Sequence, residues 1–173
     1  MKKPGKRPTR PSHRPVILFL ARCLVFWGAA LYLVSRFSFI ENAGVRLTVS
    51  TLQHAMGLVG QKVERAGTAL YTGNASVEII SDCSPHMPFL IFAAVILAFP
   101  SSWKQRGLGL LFGAVAIHVF NTIRIMTLIW ILGWRRNWFD FAHVYLWQTG
   151  TILIVFATFA LWIRALSPRP KAA

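Results

Sequence analysis

Residues 107–134 form an apolar run of 28 residues that carries His118, Asn121 and Arg124. About 20 apolar residues are enough to cross a hydrocarbon core of about 30 Å. Inside lipid every backbone polar group must be satisfied within its own segment, so a run of this length predicts a membrane-spanning helix. Three further runs follow the same logic. Residues 16–34 are 19 residues interrupted only by Arg22. Residues 88–99 are shorter, and counted from 84 to 100 they make 17 residues, the minimum for a span. Residues 144–163 complete the set. A mean hydropathy of +0.51 and 55% hydrophobic residues exceed the roughly 45–50% of soluble domains. The expected fold is an all-α integral membrane protein of about four transmembrane helices.

The net charge of +14 has to be reconciled with a membrane fold or with nucleic acid. Its distribution decides. Lys2, Lys3, Lys6, Arg7, Arg10 and Arg14 precede the first run, Lys104 and Arg106 lie in the gap between the second and third, and Arg164, Arg169 and Lys171 follow the last. These 11 of 19 basic residues sit in three short juxtamembrane segments, as positively charged cytoplasmic segments do. No basic stripe interleaved with exposed aromatics marks a nucleic-acid surface, so the expected partner is a lipid bilayer and not nucleic acid. Residues 1–14, rich in Pro and basic residues, are expected to be a disordered cytoplasmic tail. The run at 15–34 is longer than a signal-peptide core and has no clear small-residue cleavage site, which favours an uncleaved anchor. Residues 164–173 form a second basic tail.

Residues 35–82 are the only sizeable polar segment. Arg36, Arg46, Lys62 and Arg65 are offset by Glu41, Glu64, Glu78 and Asp82, so the segment is acceptable outside the membrane. Val45, Val49, Leu52, Met56 and Val59 recur at helical spacing, which predicts an amphipathic helix lying on the membrane surface. Ala69-Leu70-Tyr71 and Val77-Glu78-Ile79-Ile80 flank a turn and predict a hairpin leading to Cys83.

With both termini inside, three costly residues reach one face. Cys83 opens the second span and His143 opens the fourth, both from outside. Arg124, 17 residues beyond Gly107, lies about 25 Å along the third. A thiol becomes nucleophilic as its thiolate, which a neighbouring cation or imidazolium favours. Cys83 is the candidate nucleophile and His143 the base that takes its proton and returns one to a leaving amine. Arg124 is the cation that stabilises thiolate or oxyanion. Asp140, three residues before His143, can orient the ring as a triad's third member does. Each has an inert alternative: a buried thiol, an interfacial histidine, polar glue between helices. Arg124 resists this most, since an arginine inside a span costs at least about 2.5 kcal/mol. His118 and Asn121, at i and i+3 of the same stripe, suit the glue role better. Cys23, within the first run, reads as a small buried hydrophobe, and two cysteines make no disulfide framework. Asp82, Cys83, His86 and His143 are metal-ligand types, but Cys83-x-x-His86 lacks a second close pair, so neither metal nor other cofactor is expected.

The stretches Asp82-Cys83-Ser84, Asn121-Thr122-Ile123-Arg124-Ile125 and Phe141-Ala142-His143, with Gly150 following, resemble in order and spacing the exosortase/archaeosortase family. The resemblance covers about residues 65–163. It implies an integral-membrane cysteine peptidase or transpeptidase with Cys83, Arg124 and His143 catalytic and a core over residues 83–163. Its substrate would be a membrane-anchored protein with a C-terminal sorting signal, made of a short motif, a transmembrane helix and a basic cluster. Two departures stand out: family members usually have Gly two residues after the Cys, where this chain has Pro85, and many are longer, with more spans. The competing expectation is a non-enzymatic membrane subunit of an envelope polysaccharide or secretion assembly. The charge distribution predicts that reporters fused at Gly73 and at Ala173 report opposite sides of the membrane. The same side for both would remove the geometric basis for bringing Cys83, Arg124 and His143 together.

Overall fold

The computed structural model describes residues 13–73 and 75–166. The basic tails expected at the two ends lie outside the described residues, except for His13 and Arg14 and for Arg164–Leu166, where the helices of the two ends begin and finish. The chain forms α1 (Arg14–Arg36), α2 (Ser38–Leu58), three short strands β1 (Glu64–Ala66), β2 (Ala69–Thr72) and β3 (Ala75–Glu78), a 3-10 turn at Ser81–Cys83, then α3 (His86–Ala98), α4 (Trp103–Trp134) and α5 (Trp147–Leu166). A 3-10 turn (Arg136–Trp138) and one π-helical turn (Phe141–Leu146) carry the chain from α4 into α5.

The fold is an all-α membrane fold. Three helical stretches are long and apolar enough to cross a membrane: Arg14–Arg36, Trp103–Trp134 and Arg136–Leu166. The run expected to supply a second span is shorter. α3 has 13 residues, about 20 Å at 1.5 Å per residue. Phe99 has left the helical region, with φ −70° and ψ 137°, because Pro100 disfavours helical dihedrals in the residue before it. At the other end Pro85 caps the helix and Pro88 sits in its first turn, where a missing N–H costs no helical bond. α4 starts sharply at a capping box: the Gln105 N–H donates to Ser102 Oγ at 3.4 Å, and the Ser102 N–H donates to Gln105 Oε1 at 2.9 Å.

α1 and α3, α3 and α4, and α4 and α5 pack antiparallel, while α3 runs parallel to α5. Phe19 of α1 meets Phe99, just past α3, with ring centroids 6.4 Å apart, while Cys23, Leu24 and Trp27 line a crevice with Ile91, Ala94 and Val95. Glycines set the closest approaches of α4. Gly113 lies against the Phe92 ring, and Gly109 lies against the Trp162 indole, whose Nε1–H donates to the Gln105 carbonyl at 3.0 Å. Without aqueous hydrophobic drive between helices in lipid, this close packing of small residues holds them together. Phe92, Ile96, Ile117 and Trp162 form the buried centre of the bundle.

The segment between α1 and α3 forms a second core. Val45, Val49, Leu52 and Met56 of α2 pack with Leu70 and Ile79 against Ile125 and Ile129 of α4. The apolar stripe of α2 therefore faces protein, not a membrane surface, and Val59, past the helix end, is exposed. The helix also starts earlier than its apolar stripe suggests. The hairpin is present, with Leu70 opposite Val77 and Tyr71 opposite Ser76, but it is joined by β1, whose Arg65 pairs with Leu70. Gly67, at φ +65°, supplies the left-handed residue of the β1–β2 turn.

A Cβ at Gly113 would collide with the fully buried Phe92 ring, whereas Gly107 faces open space. Gly113→Ala should therefore destabilise the folded protein by about 1–3 kcal/mol in detergent unfolding. Gly107→Ala should be neutral or mildly stabilising. Equal stability of the two variants would show that this contact does not set the α3–α4 distance.

Candidate active site

The polar residues of α4 recur every three residues, and a helix turns 300° over that spacing, so each step rotates the side chain by about 60°. His118, Asn121 and Arg124 consequently reach three different elements. His118 Nε2 lies 3.0 Å from Thr51 Oγ1 on α2. Asn121, buried, donates from Nδ2 to the Cys83 carbonyl at 2.9 Å. Arg124 Nη2 lies 3.4 Å from His143 Nε2 on the π-helical turn. His118 thus ties helix to helix, Asn121 holds the cysteine turn, and Arg124 meets the imidazole.

Cys83 closes the 3-10 turn, with its N–H donating to the Ile80 carbonyl at 3.0 Å and the Ser84 N–H donating to the Ser81 carbonyl at 2.8 Å. The side chain is half-buried against the α2–sheet core. A guanidinium only donates, so in the contact with Arg124 the Nε2 of His143 accepts and the ring proton resides on Nδ1. The ring is stacked on Phe139, centroids 5.6 Å apart and planes 11° from parallel. Asp140 is exposed and makes no hydrogen bond or ion pair among the described residues, so the contact that holds the imidazole is the Phe139 ring and not the carboxylate expected from its spacing. A π-helical turn has more residues per turn than an α-helix, which alters the spacing along that face.

Arg124 is half-buried, its Nε sealed from solvent and without a hydrogen-bond partner. All five acidic residues of the chain lie at positions 41–82 or at 140, and none pairs with Arg124 among the described residues. Asn121, three residues before it on α4, holds the Cys83 carbonyl, which places the cysteine turn on the same stretch of the helix as Arg124. A cavity of about 640 Å³ opens between α3 and α5, lined by Asp82, Ser84, His86, Arg124, His143 and Gln148 among others. Asp82 and Ser84 flank Cys83 directly. The structure thus joins Asn121 to the Cys83 carbonyl and Arg124 to His143, with Arg124 and His143 in the cavity lining, and leaves Asp140 aside. Phe139, stacked on His143, and Gln148, in the cavity lining, join them without having been singled out by the sequence. Ser84, also in the lining, stands in the sequence only as the last residue of Asp82-Cys83-Ser84.

A family model described as transmembrane exosortase matches residues 5–163. The chain belongs to the transmembrane exosortase family. No curated protein and no solved structure matches the chain. Exosortase membership supports a membrane protease or transpeptidase role, in a family that acts on exported membrane proteins bearing sorting signals. It also agrees with the apolar helices in placing this exosortase in a membrane.

Asn121→Ala would leave the Cys83 carbonyl without its donor, which should lower unfolding stability by about 1–3 kcal/mol and change the alkylation rate of Cys83 several-fold. His118→Ala should lower stability while leaving that rate unchanged. An unaltered Cys83 rate in Asn121→Ala would deny the amide its positioning role.

Proposed function

We propose that this exosortase cleaves a membrane-anchored protein substrate through a Cys83 thioester. The reaction would take place at the outer face of the cytoplasmic membrane and act at a C-terminal sorting signal. Cys83 attacks the carbonyl carbon of the scissile peptide, and His143 accepts the thiol proton and returns one to the departing amine. Arg124 stabilises the thiolate or the oxyanion formed on the carbonyl. The thioester then passes its acyl group to water or to an acceptor amine.

Arg124 carries this proposal. A cation inside a span is expensive and pairs with an anion or faces a functional cavity. Here it lines the cavity and touches His143, and the Cys83 turn is held to the same stretch of α4 by Asn121. A thiolate formed at Cys83 during the reaction would supply an anion for the arginine to stabilise. For His143 to take the thiol proton, its Nε2 exchanges the Arg124 N–H for the Cys83 S–H. The outer-face assignment is supported by Lys104, Arg106 and Arg164 at the opposite end of the bundle.

The test measures membrane abundance and substrate processing on the same samples. Cys83→Ala and Cys83→Ser should abolish processing, while Cys23→Ala should be nearly neutral. Arg124→Lys should insert normally and lose activity by on the order of 10²-fold or more, because a compact ammonium cannot reproduce the planar guanidinium fork. If Arg124→Ala lowers abundance but keeps full specific activity, Arg124 is glue between helices and the catalytic role fails.

A further inference from the structure

The cavity between α3 and α5 changes character along its length. At the end nearer the α2–sheet core it is lined by Arg124, His143 and Gln148, and toward the middle of the bundle by Ile91, Ile152 and Phe156. Those three apolar side chains are also exposed, by 48%, 54% and 67%, so this end is open sideways to whatever surrounds the bundle. Around helices that cross a membrane, the surroundings are hydrocarbon. Phe156 lies about 12 Å beyond Gln148 along α5, close to the about 15 Å that one leaflet contributes to a core of about 30 Å.

The polar end has donors without acceptors. Arg124 Nη2 meets His143 Nε2 at 3.4 Å, and Nε is sealed and unpartnered. Nη1 is neither sealed nor hydrogen-bonded among the described residues, which leaves it as the open donor. Gln148 is exposed on α5 and makes no hydrogen bond among the described residues either. A guanidinium and an amide inside a span both call for partners. Arg124 lies about 25 Å from Gly107 along α4, near the far edge of the hydrocarbon, where lipid phosphates begin. The one carboxylate in the lining, Asp82, belongs to the turn before α3 and is exposed, where water weakens its repulsion of an anion.

We propose that this cleft is a binding site for a phospholipid of the leaflet on the side of the α2–sheet core. Its phosphate takes the Arg124 Nη1 and Gln148 amide donors, and an acyl chain lies between α3 and α5 down to Phe156. The phosphodiester carries the negative charge that the arginine lacks, and a guanidinium suits phosphate oxygens in geometry as well as charge. Depth agrees with charge, since the polar end sits at headgroup level and the apolar end points to mid-bilayer, as a lipid of that leaflet does. Size favours a lipid over a protein helix. A helix about 10–12 Å across displaces roughly 1,000 Å³ over 12 Å of its length, and the cavity holds about 640 Å³. The lipid fills the resting cavity and neutralises Arg124. This assignment does not depend on Cys83 being the nucleophile.

The test uses the full-length protein in a nonionic detergent, with native mass spectrometry to count what stays bound. Dioleoylphosphatidylglycerol should remain as a one-to-one adduct. Dioleoylglycerol, with the same chains and no phosphate, and inorganic phosphate, with no chains, should each be retained less by on the order of 10-fold. Arg124→Gln should weaken phospholipid retention by on the order of 10-fold. Ile152→Trp, which fills the apolar end and leaves the arginine in place, should do the same. Leu111→Trp, at a 64% exposed position of α4 outside the cleft, should change nothing. If Arg124→Gln does not insert, Ile152→Trp and the two partial ligands decide. Equal retention of dioleoylglycerol would reveal a chain slot indifferent to phosphate, and equal retention of inorganic phosphate an anion pocket without a lipid. An adduct unmoved by Ile152→Trp would lie elsewhere on the bundle. Each of these overturns the proposal, as does a lipid-free dimer whose copies cross-link through Phe156→Cys, which would give the cleft to a second copy of this chain.

Discussion

The hydrogen bond from Asn121 Nδ2 to the Cys83 carbonyl joins the two halves of the molecule. On one side is α4, a long helix fixed in the bundle by close contacts at Gly109 and Gly113. On the other is a short turn at the end of a small sheet, which has little rigidity of its own. Asn121 is buried, and away from water an amide has few alternatives to the carbonyl it meets. Register along α4 follows from that anchor. One helical step further, Arg124 falls opposite His143, and one step back, His118 falls opposite Thr51.

The second core gives the cysteine turn its support. Ile125 and Ile129 extend the apolar face of α4 past the arginine, and α2 and the sheet close over them. At 32 residues α4 is about 48 Å long, well beyond a hydrocarbon core of about 30 Å. The excess length is what lets one helix serve both the bundle and the small α2–sheet cap. α3, at about two-thirds of a span's length, begins at the cysteine turn and leaves the cavity open between itself and α5.

The cost structure of the site is consistent with chemistry. Arg124 Nε, Ser84 Oγ and His86 Nδ1 are all sealed from solvent and unpartnered, and all three residues line the cavity between α3 and α5. A packing motif tends to satisfy its polar groups, because each orphan lowers stability. Three residues lining one cavity with His143 each keep such an orphan, a concentration of cost at one place in the fold.

Chain composition alone determined the membrane class and the long apolar helices, since no other structure satisfies so many consecutive backbone groups in lipid. It also singled out Cys83, Arg124 and His143, because thiol, guanidinium and imidazole are conspicuous in or beside apolar runs, and it read His118 together with Asn121 as glue between helices, where the structure gives Asn121 to the Cys83 turn. Tertiary structure decided the rest. The stripe on α2 has the same periodicity whether it meets lipid or protein, and only the presence of Ile125 and Ile129 opposite it settled the matter. β1 has no apolar alternation, and pairing with β2 is what makes Glu64–Ala66 a strand. Asp140 has the spacing of a ring-orienting carboxylate, yet Phe139 takes the contact, because a sequence interval does not fix a side chain's direction at an irregular turn. Ser84 shows the same limit: the sequence places it beside Cys83, but that it is buried, with its hydroxyl against Gly44 of α2, is a property of the surroundings and not of the residue.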